Sequence, residues 1–203
     1  MLRASRSVRF CAARPVDGLE PHAHQRPLSG PAWSGGRRRA EAEAQVGVRI
    51  RRRYVGAVQP TIVDGRVFTG SASGRVFSLS LKEGCAYWIF DADQQVRTAI
   101  TVARESPTSP PVVFFADVSA TVYSLDANTG QLRWKKKADD HPLARVTGTP
   151  RYANGRLYVP VSSIEEVAGA DPKYSCCTFR GSVSALDAST GNQIWKRYTI
   201  GET

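Results

Sequence analysis

Three stretches of this chain follow one template. Val76-Phe-Ser-Leu-Ser-Leu-Lys-Glu-Gly84, ending at Trp88, aligns without a gap on Val122-Tyr-Ser-Leu-Asp-Ala-Asn-Thr-Gly130, ending at Trp134. It aligns again on Val183-Ser-Ala-Leu-Asp-Ala-Ser-Thr-Gly191, ending at Trp195. Each copy runs from an alternating strand through a glycine turn to a tryptophan four residues later. Unrelated segments do not share a register by chance, so the chain is built from a supersecondary unit that recurs every ~40–60 residues and cannot bury its own faces alone.

The same order of elements surrounds each copy. Gln59 to Val63 leads into Asp64-Gly65, a two-residue hairpin signal, and Arg66 to Gly70 follows; alternation resumes from Val76 to Leu81, and Cys85 to Phe90 carries the tryptophan. Asn154-Gly155 repeats the first hairpin turn in the third unit. Four short antiparallel strands per unit imply propeller blades, here over about 54–93, 94–138 and 144–200. The fold class expected is all-β: a partial β-propeller of about three four-stranded blades over 54–203, behind a segment 1–53 without strand pattern. Three blades are too few to close a ring, which takes four to eight, so the sequence reads as a fragment of a larger protein.

A large aromatic at a fixed place in every blade fills the wedge between neighbouring sheets, so the three tryptophans are expected in the core and not at a ligand. In the Leu-Asp-Ala-x-Thr-Gly runs, Asp126 and Asp187 are placed to accept backbone hydrogen bonds, and Gly130 and Gly191 to take positive φ. Unit one departs with Ser80 in the aspartate position but keeps Gly84.

The formal charge of +10 invites a nucleic-acid reading, which its distribution opposes. Residues 1–53 carry twelve arginines against four acidic residues, so eight of the ten excess charges precede the first blade. That segment has little to bury, and disorder is the expectation. Its Arg-rich start, Leu2 to Arg9, has the composition of an organellar transit peptide; an artefactual start is the preferred reading. No run has secretory or transmembrane length, and His22 and His24 have no third ligand nearby.

One unit breaks the template. Between its second and third strands unit three inserts Ser162 to Gly181, where unit one has only Ser71 to Gly74. Long loops on a rigid β scaffold carry binding groups, and this one holds Glu165, Glu166, Cys176, Cys177 and Arg180. Adjacent cysteines can close an eight-membered ring, which persists in oxidising compartments; two buried thiols or a loop staple are the plainer readings. Glu165 and Glu166 are either solvated loop charges or polar contacts to a ligand. Cys85 reads as a core thiol, Cys11 lies in the N-terminal segment, and no further disulfide is expected. Asp139-Asp140-His141 is a loop without nucleophile or metal spacing.

The Leu-Asp-Ala-x-Thr-Gly-x4-Trp repeat, without a Trp-Asp dipeptide, resembles the tryptophan-docking repeat of pyrroloquinoline quinone (PQQ) propellers: the quinoprotein alcohol dehydrogenases and their non-catalytic relatives. The resemblance covers about 54–203. Quinoprotein dehydrogenases carry a vicinal disulfide that packs on one face of the planar quinone, followed by Arg-Gly, and Cys176-Cys177-x2-Arg180-Gly181 is similar to that arrangement with a shorter spacer. Together with Glu165-Glu166 it resembles the polyvinyl-alcohol dehydrogenase branch in particular.

What the resemblance implies is a periplasmic parent protein that oxidises alcohols, polyvinyl alcohol or another secondary alcohol, with PQQ and Ca²⁺ as cofactors and a cytochrome c-type electron acceptor, as partner or further domain. The cofactor-binding residues implied are Cys176, Cys177, Arg180, Glu165 and Glu166. The Ca²⁺ ligands and the catalytic Asp belong to blades that the resemblance does not find here, so no catalytic residue is assigned and the chain alone is expected to be inactive. No nucleic acid and no membrane span are expected, and no Cys-x2-Cys-His is present for a haem. The alternative is a non-catalytic propeller serving as a protein-binding scaffold in the cell envelope, by strand addition; the vicinal cysteine pair separates the two, because a scaffold has no use for it.

Overall fold

The computed structural model describes residues 9–11, 58–104, 106 and 108–201. Residues 1–8 and 12–53, on which most of the reading of the N-terminal segment falls, lie outside them.

Three antiparallel sheets follow one another along the chain. The first holds β1 (Thr61–Val63), β2 (Arg66–Thr69), β3 (Arg75–Ser80) and β4 (Ala86–Asp91) in sequence order. The second repeats this with β5 (Thr101–Ala103), β6 (Val112–Ala116), β7 (Thr121–Asp126) and β8 (Leu132–Lys137). In the third, β9 (Ala144–Arg145) pairs with the far end of β11 (Arg156–Ser163), and the order is otherwise β10 (Arg151–Ala153), β11, β12 (Ser182–Asp187) and β13 (Gln193–Tyr198). A register shift recurs between the third and fourth strands of all three sheets, at Ser78/Leu79, Ser124/Leu125 and Ala185/Leu186. The architecture is therefore all-β, with the repeated four-strand unit that the sequence implies.

Period-two alternation in the middle sheet decides how the sheets stack. All five residues of β6 are buried. Val113 and Phe115 pack with Phe68, Val76 and Trp88 of the first sheet, whereas Val112, Phe114 and Ala116 pack with Leu157, Val159 and Leu186 of the third. Each such side chain contributes roughly 1.5–3 kcal/mol by burial, and a strand buried on both faces explains the uninterrupted apolar run Val112–Phe115.

The tryptophans close the two seams. Trp88 is 5% exposed and its indole N–H donates to the carbonyl of Ala127 in the second sheet at 2.9 Å; Trp134, 8% exposed, donates to Ala188 of the third at 3.0 Å. Gly130 and Gly191 lie under these rings at φ +75° and +74°, and a Cβ there would stand 2.7 and 2.6 Å from ring carbons of Trp88 and Trp134. Glycine is thus required twice over, by backbone conformation and by contact. The Asp126 carboxylate accepts from the amides of Asn128 and Thr129, and Asp187 from those of Ser189 and Thr190. In the first sheet the Ser80 hydroxyl substitutes, accepting from Glu83 N–H at 3.0 Å.

The expectation that no further disulfide forms is corrected at the N-terminal end. Cys85 is bonded to Cys11, and the chain around Cys11 adds a parallel bridge at Phe10 to Ala86, with Ala86 N–H donating to Arg9 and Cys11 N–H donating to Ala86. Residues 9–11 thus cover the outer edge of β4, a place where an unpaired strand invites unwanted pairing. Cys85 is buried, as a core thiol would be, but its partner lies 74 residues away, a separation that neither spacing nor periodicity reveals.

Candidate functional site

The connection between the second and third strands of a sheet is short in two sheets and long in the third. In the first it spans 70–74, where the Ser71 hydroxyl accepts from Arg75 N–H and donates to the Arg75 carbonyl. In the second it spans 117–120 around the buried Asp117. In the third, β11 outruns β12: their pairing ends at Val161 with Ser182, and β9 takes over at Ser162 and Ser163. The loop 164–181 therefore leaves the sheet supported on one side by the 138–145 segment, and Ile164 N–H donates to the Leu143 carbonyl.

A single helical turn, α1 (Glu165–Ala168), opens this loop, although the sequence shows no helical periodicity there. It separates two neighbouring glutamates. Glu166 points to solvent, while Glu165 is 4% exposed, which corrects its reading as a solvated loop charge. Glu165 Oε1 accepts from Tyr174 OH at 2.8 Å, from Thr178 N–H at 2.8 Å and from Thr178 Oγ1 at 3.2 Å; Oε2 accepts from Phe179 N–H at 2.9 Å. These bonds, the Thr178 amide foremost, outweigh the desolvation that opposes them and hold the carboxyl at a pKa of about 2. The bond to Glu165 in turn raises the Tyr174 phenol.

Between the two halves of this network lie Cys176 and Cys177. They are joined by a disulfide across a cis peptide bond, and both are exposed. Cys176 Sγ lies 3.4 Å from where a Cβ on Gly169 would stand, so the end of α1 backs the pair. Arg180 follows at the edge of β12, its guanidinium stacked 3.9 Å over the ring of Tyr198. The structure therefore brings Glu165, Cys176, Cys177 and Arg180 into one loop and its margin, with Glu166 on the outer side of α1.

His141 belongs to the same cluster, and sequence reasoning passed over it. Its Nδ1 accepts from Leu143 N–H at 3.2 Å, which leaves Nε2 as the protonated nitrogen of a neutral ring; Nε2 lies 2.9 Å from Thr178 Oγ1 and 3.9 Å from Glu165 Oε1. The ring also meets Phe179 edge to face at 5.4 Å between centroids. Behind it, Asp139 accepts from His141 N–H and pairs with Lys196 of β13. No local motif announces this arrangement, because His141 and Thr178 are 37 residues apart.

Among the described residues, one group of three ligand-type side chains converges within metal-binding distance: Cys11, Glu83 and Cys85. Its two sulfurs are bonded to each other, and Ca²⁺ requires six to eight oxygens, so the ion does not fit there. The chemistry of the loop suits a planar polyanion better, since an exposed disulfide is followed three residues later by an arginine. No helix among the described residues is long and apolar enough to cross a membrane.

Comparison with known proteins bears on the family and the fold. The PQQ_2 family, described as outer membrane protein assembly factor BamB, matches residues 33–202. A polyvinylalcohol dehydrogenase of Sphingopyxis sp. is 42% identical over 143 residues, covering 70% of this chain and 22% of that protein. A quinohemoprotein alcohol dehydrogenase of Pseudomonas putida is 27% identical over 148 residues, 70% of this chain and 19% of its own length. The chain thus spans about a fifth of the length of these relatives. Among solved structures, a europium-containing methanol dehydrogenase superposes with a TM-score of 0.57 at 23% identity, over 73% of this chain and 27% of that one, a likeness of fold. With the family match extending over most of its length and the tryptophan-docked sheets in place, this chain belongs to the PQQ-repeat β-propeller family.

Proposed function

We propose that this chain supplies one arc of a PQQ-dependent dehydrogenase propeller that oxidises alcohols, with polyvinyl alcohol or another secondary alcohol as substrate. The observation that carries the reading is the exposed Cys176–Cys177 disulfide with Arg180 three residues on, stacked over Tyr198, in a chain 42% identical over 143 residues to a polyvinylalcohol dehydrogenase. Cys176 and Cys177 offer a hard platform for one face of a flat ring. Arg180, held by Tyr198, offers a guanidinium to its carboxylate or quinone oxygens, and Glu166 supplies a polar contact at the margin. When bound, PQQ provides the hydride acceptor that no protein side chain can. Ca²⁺ and the residue that takes the hydroxyl proton are assigned to other blades, so the chain alone is inactive and binds PQQ weakly. Electrons leave to a cytochrome c-type acceptor. Two disulfides support an oxidising compartment such as the periplasm. The scaffold alternative leaves the exposed vicinal pair without a task.

The test is a chimera in which residues 58–201 replace the matching segment of the Sphingopyxis polyvinylalcohol dehydrogenase. Arg180→Ala in that chimera is expected to weaken PQQ binding, followed by fluorescence quenching, by roughly one to two orders of magnitude. Unchanged affinity would make Arg180 a strand-start surface residue and remove the basis of the reading.

A further inference from the structure

We infer that Glu165 and His141 are positioning residues that clamp the Cys176–Cys177 pair in place from behind. Glu165 is turned inward: its carboxylate accepts four hydrogen bonds, three at Oε1 and one at Oε2, and it is 4% exposed. All four donors come from residues flanking the cysteines, Tyr174 before them and Thr178 and Phe179 after them. The carboxylate therefore ties the two ends of the hexapeptide 174–179 to one point and leaves its middle, Cys176–Cys177, facing outward.

His141 fastens the same point to the sheet. The neutral ring donates from Nε2 to Thr178 Oγ1, whose own proton goes to Glu165 Oε1, giving the directed chain His141 to Thr178 to Glu165. Three contacts hold the ring: Leu143 N–H on Nδ1, the Phe179 edge, and the Asp139 carboxylate on its backbone, itself paired with Lys196 of β13. A loop of 18 residues with one four-residue helix would otherwise open readily to water. The clamp's use as a platform for a quinone rests on the function proposed above; the clamp itself does not.

The full chain carries its own control, because it holds a second disulfide outside the loop. The rate at which dithiothreitol reduces Cys176–Cys177, trapped by alkylation and read by mass spectrometry, is compared with that of Cys11–Cys85 in the same molecules. Glu165→Ala is expected to accelerate reduction of the vicinal pair on the order of tenfold, the loss of a few loop hydrogen bonds, and to leave Cys11–Cys85 unchanged. Glu166→Ala changes neither rate. Glu165→Gln, which keeps an acceptor at Oε1, and Thr178→Val, which removes the hydroxyl's bonds to both His141 and Glu165 but keeps the Thr178 N–H bond, give intermediate rates and cover the case in which Glu165→Ala does not fold. An unchanged vicinal rate, or equal acceleration of both disulfides, overturns the clamp. Failure of the chimera to bind PQQ overturns the quinone reading and leaves these rates untouched.

Discussion

Asp117 and Glu165 occupy the same topological place in adjacent sheets, the connection between second and third strands, and each is a buried carboxylate bonded to a tyrosine hydroxyl. Asp117 accepts from Ser119 N–H, Ser119 Oγ, Thr121 N–H and Tyr123 OH, all within six residues. Glu165 accepts from donors nine to fourteen residues downstream. The first closes a turn that is part of the seam, since Tyr123 packs among the first sheet's residues. The second organises a loop that stands off the sheet. One chemical device therefore serves the core in one place and an exposed peptide in the other, and the reach of its hydrogen bonds decides which.

That difference predicts where damage goes. The largest effect is expected from Asp117→Ala, which strands the buried Tyr123 hydroxyl and two turn amides and should lower the unfolding free energy by roughly 3 kcal/mol or more; Glu165→Ala should lower the denaturant midpoint clearly less, because the loop that carries its donors stands off the sheet and they can turn to water. Equal losses in urea titrations of the two variants would erase the distinction. A smaller contrast is expected from the tyrosines. Tyr123 OH also accepts from Asp93 N–H at 3.0 Å, so Tyr123→Phe removes two bonds and should cost about 1–2 kcal/mol, whereas Tyr174→Phe should show only as faster amide exchange within 174–179.

The smallest effect is reached by acid alone. With a folded pKa of about 2 against an ordinary value of 4.5, Glu165 contributes loop stability that is fully present above pH ~4.5 and disappears as the pH falls through 2. The amide resonances of Thr178 and Phe179 should accordingly hold their positions down to about pH 3 and move below it. Movement centred near pH 4.5 would mean that the four bonds are not made in solution.

How far the sequence could be read follows from the range of each contact. Trp88 and Trp134, Gly130 and Gly191, Asp126 and Asp187 were legible because each recurs in register, and a repeated residue reports a repeated environment. Cys176, Cys177 and Arg180 were legible as a short motif. Their surroundings were not: Glu165 and Glu166 are the same letter, and only the unforeseen turn of helix sends one inward. His141 with Thr178, and Cys11 with Cys85, are contacts across 37 and 74 residues that occur once and leave no period to find.

The bond between Cys11 and Cys85 closes a covalent ring through the start of the chain and the first three strands. A protease that cuts within this ring cannot release the peptide that lines β4; it makes a two-chain molecule held by one sulfur–sulfur bond, whose N-terminal piece departs only when that bond is reduced. Covalent continuity and backbone continuity are therefore separate properties here, and a band of unchanged mass on a non-reducing gel would not show that the backbone is whole.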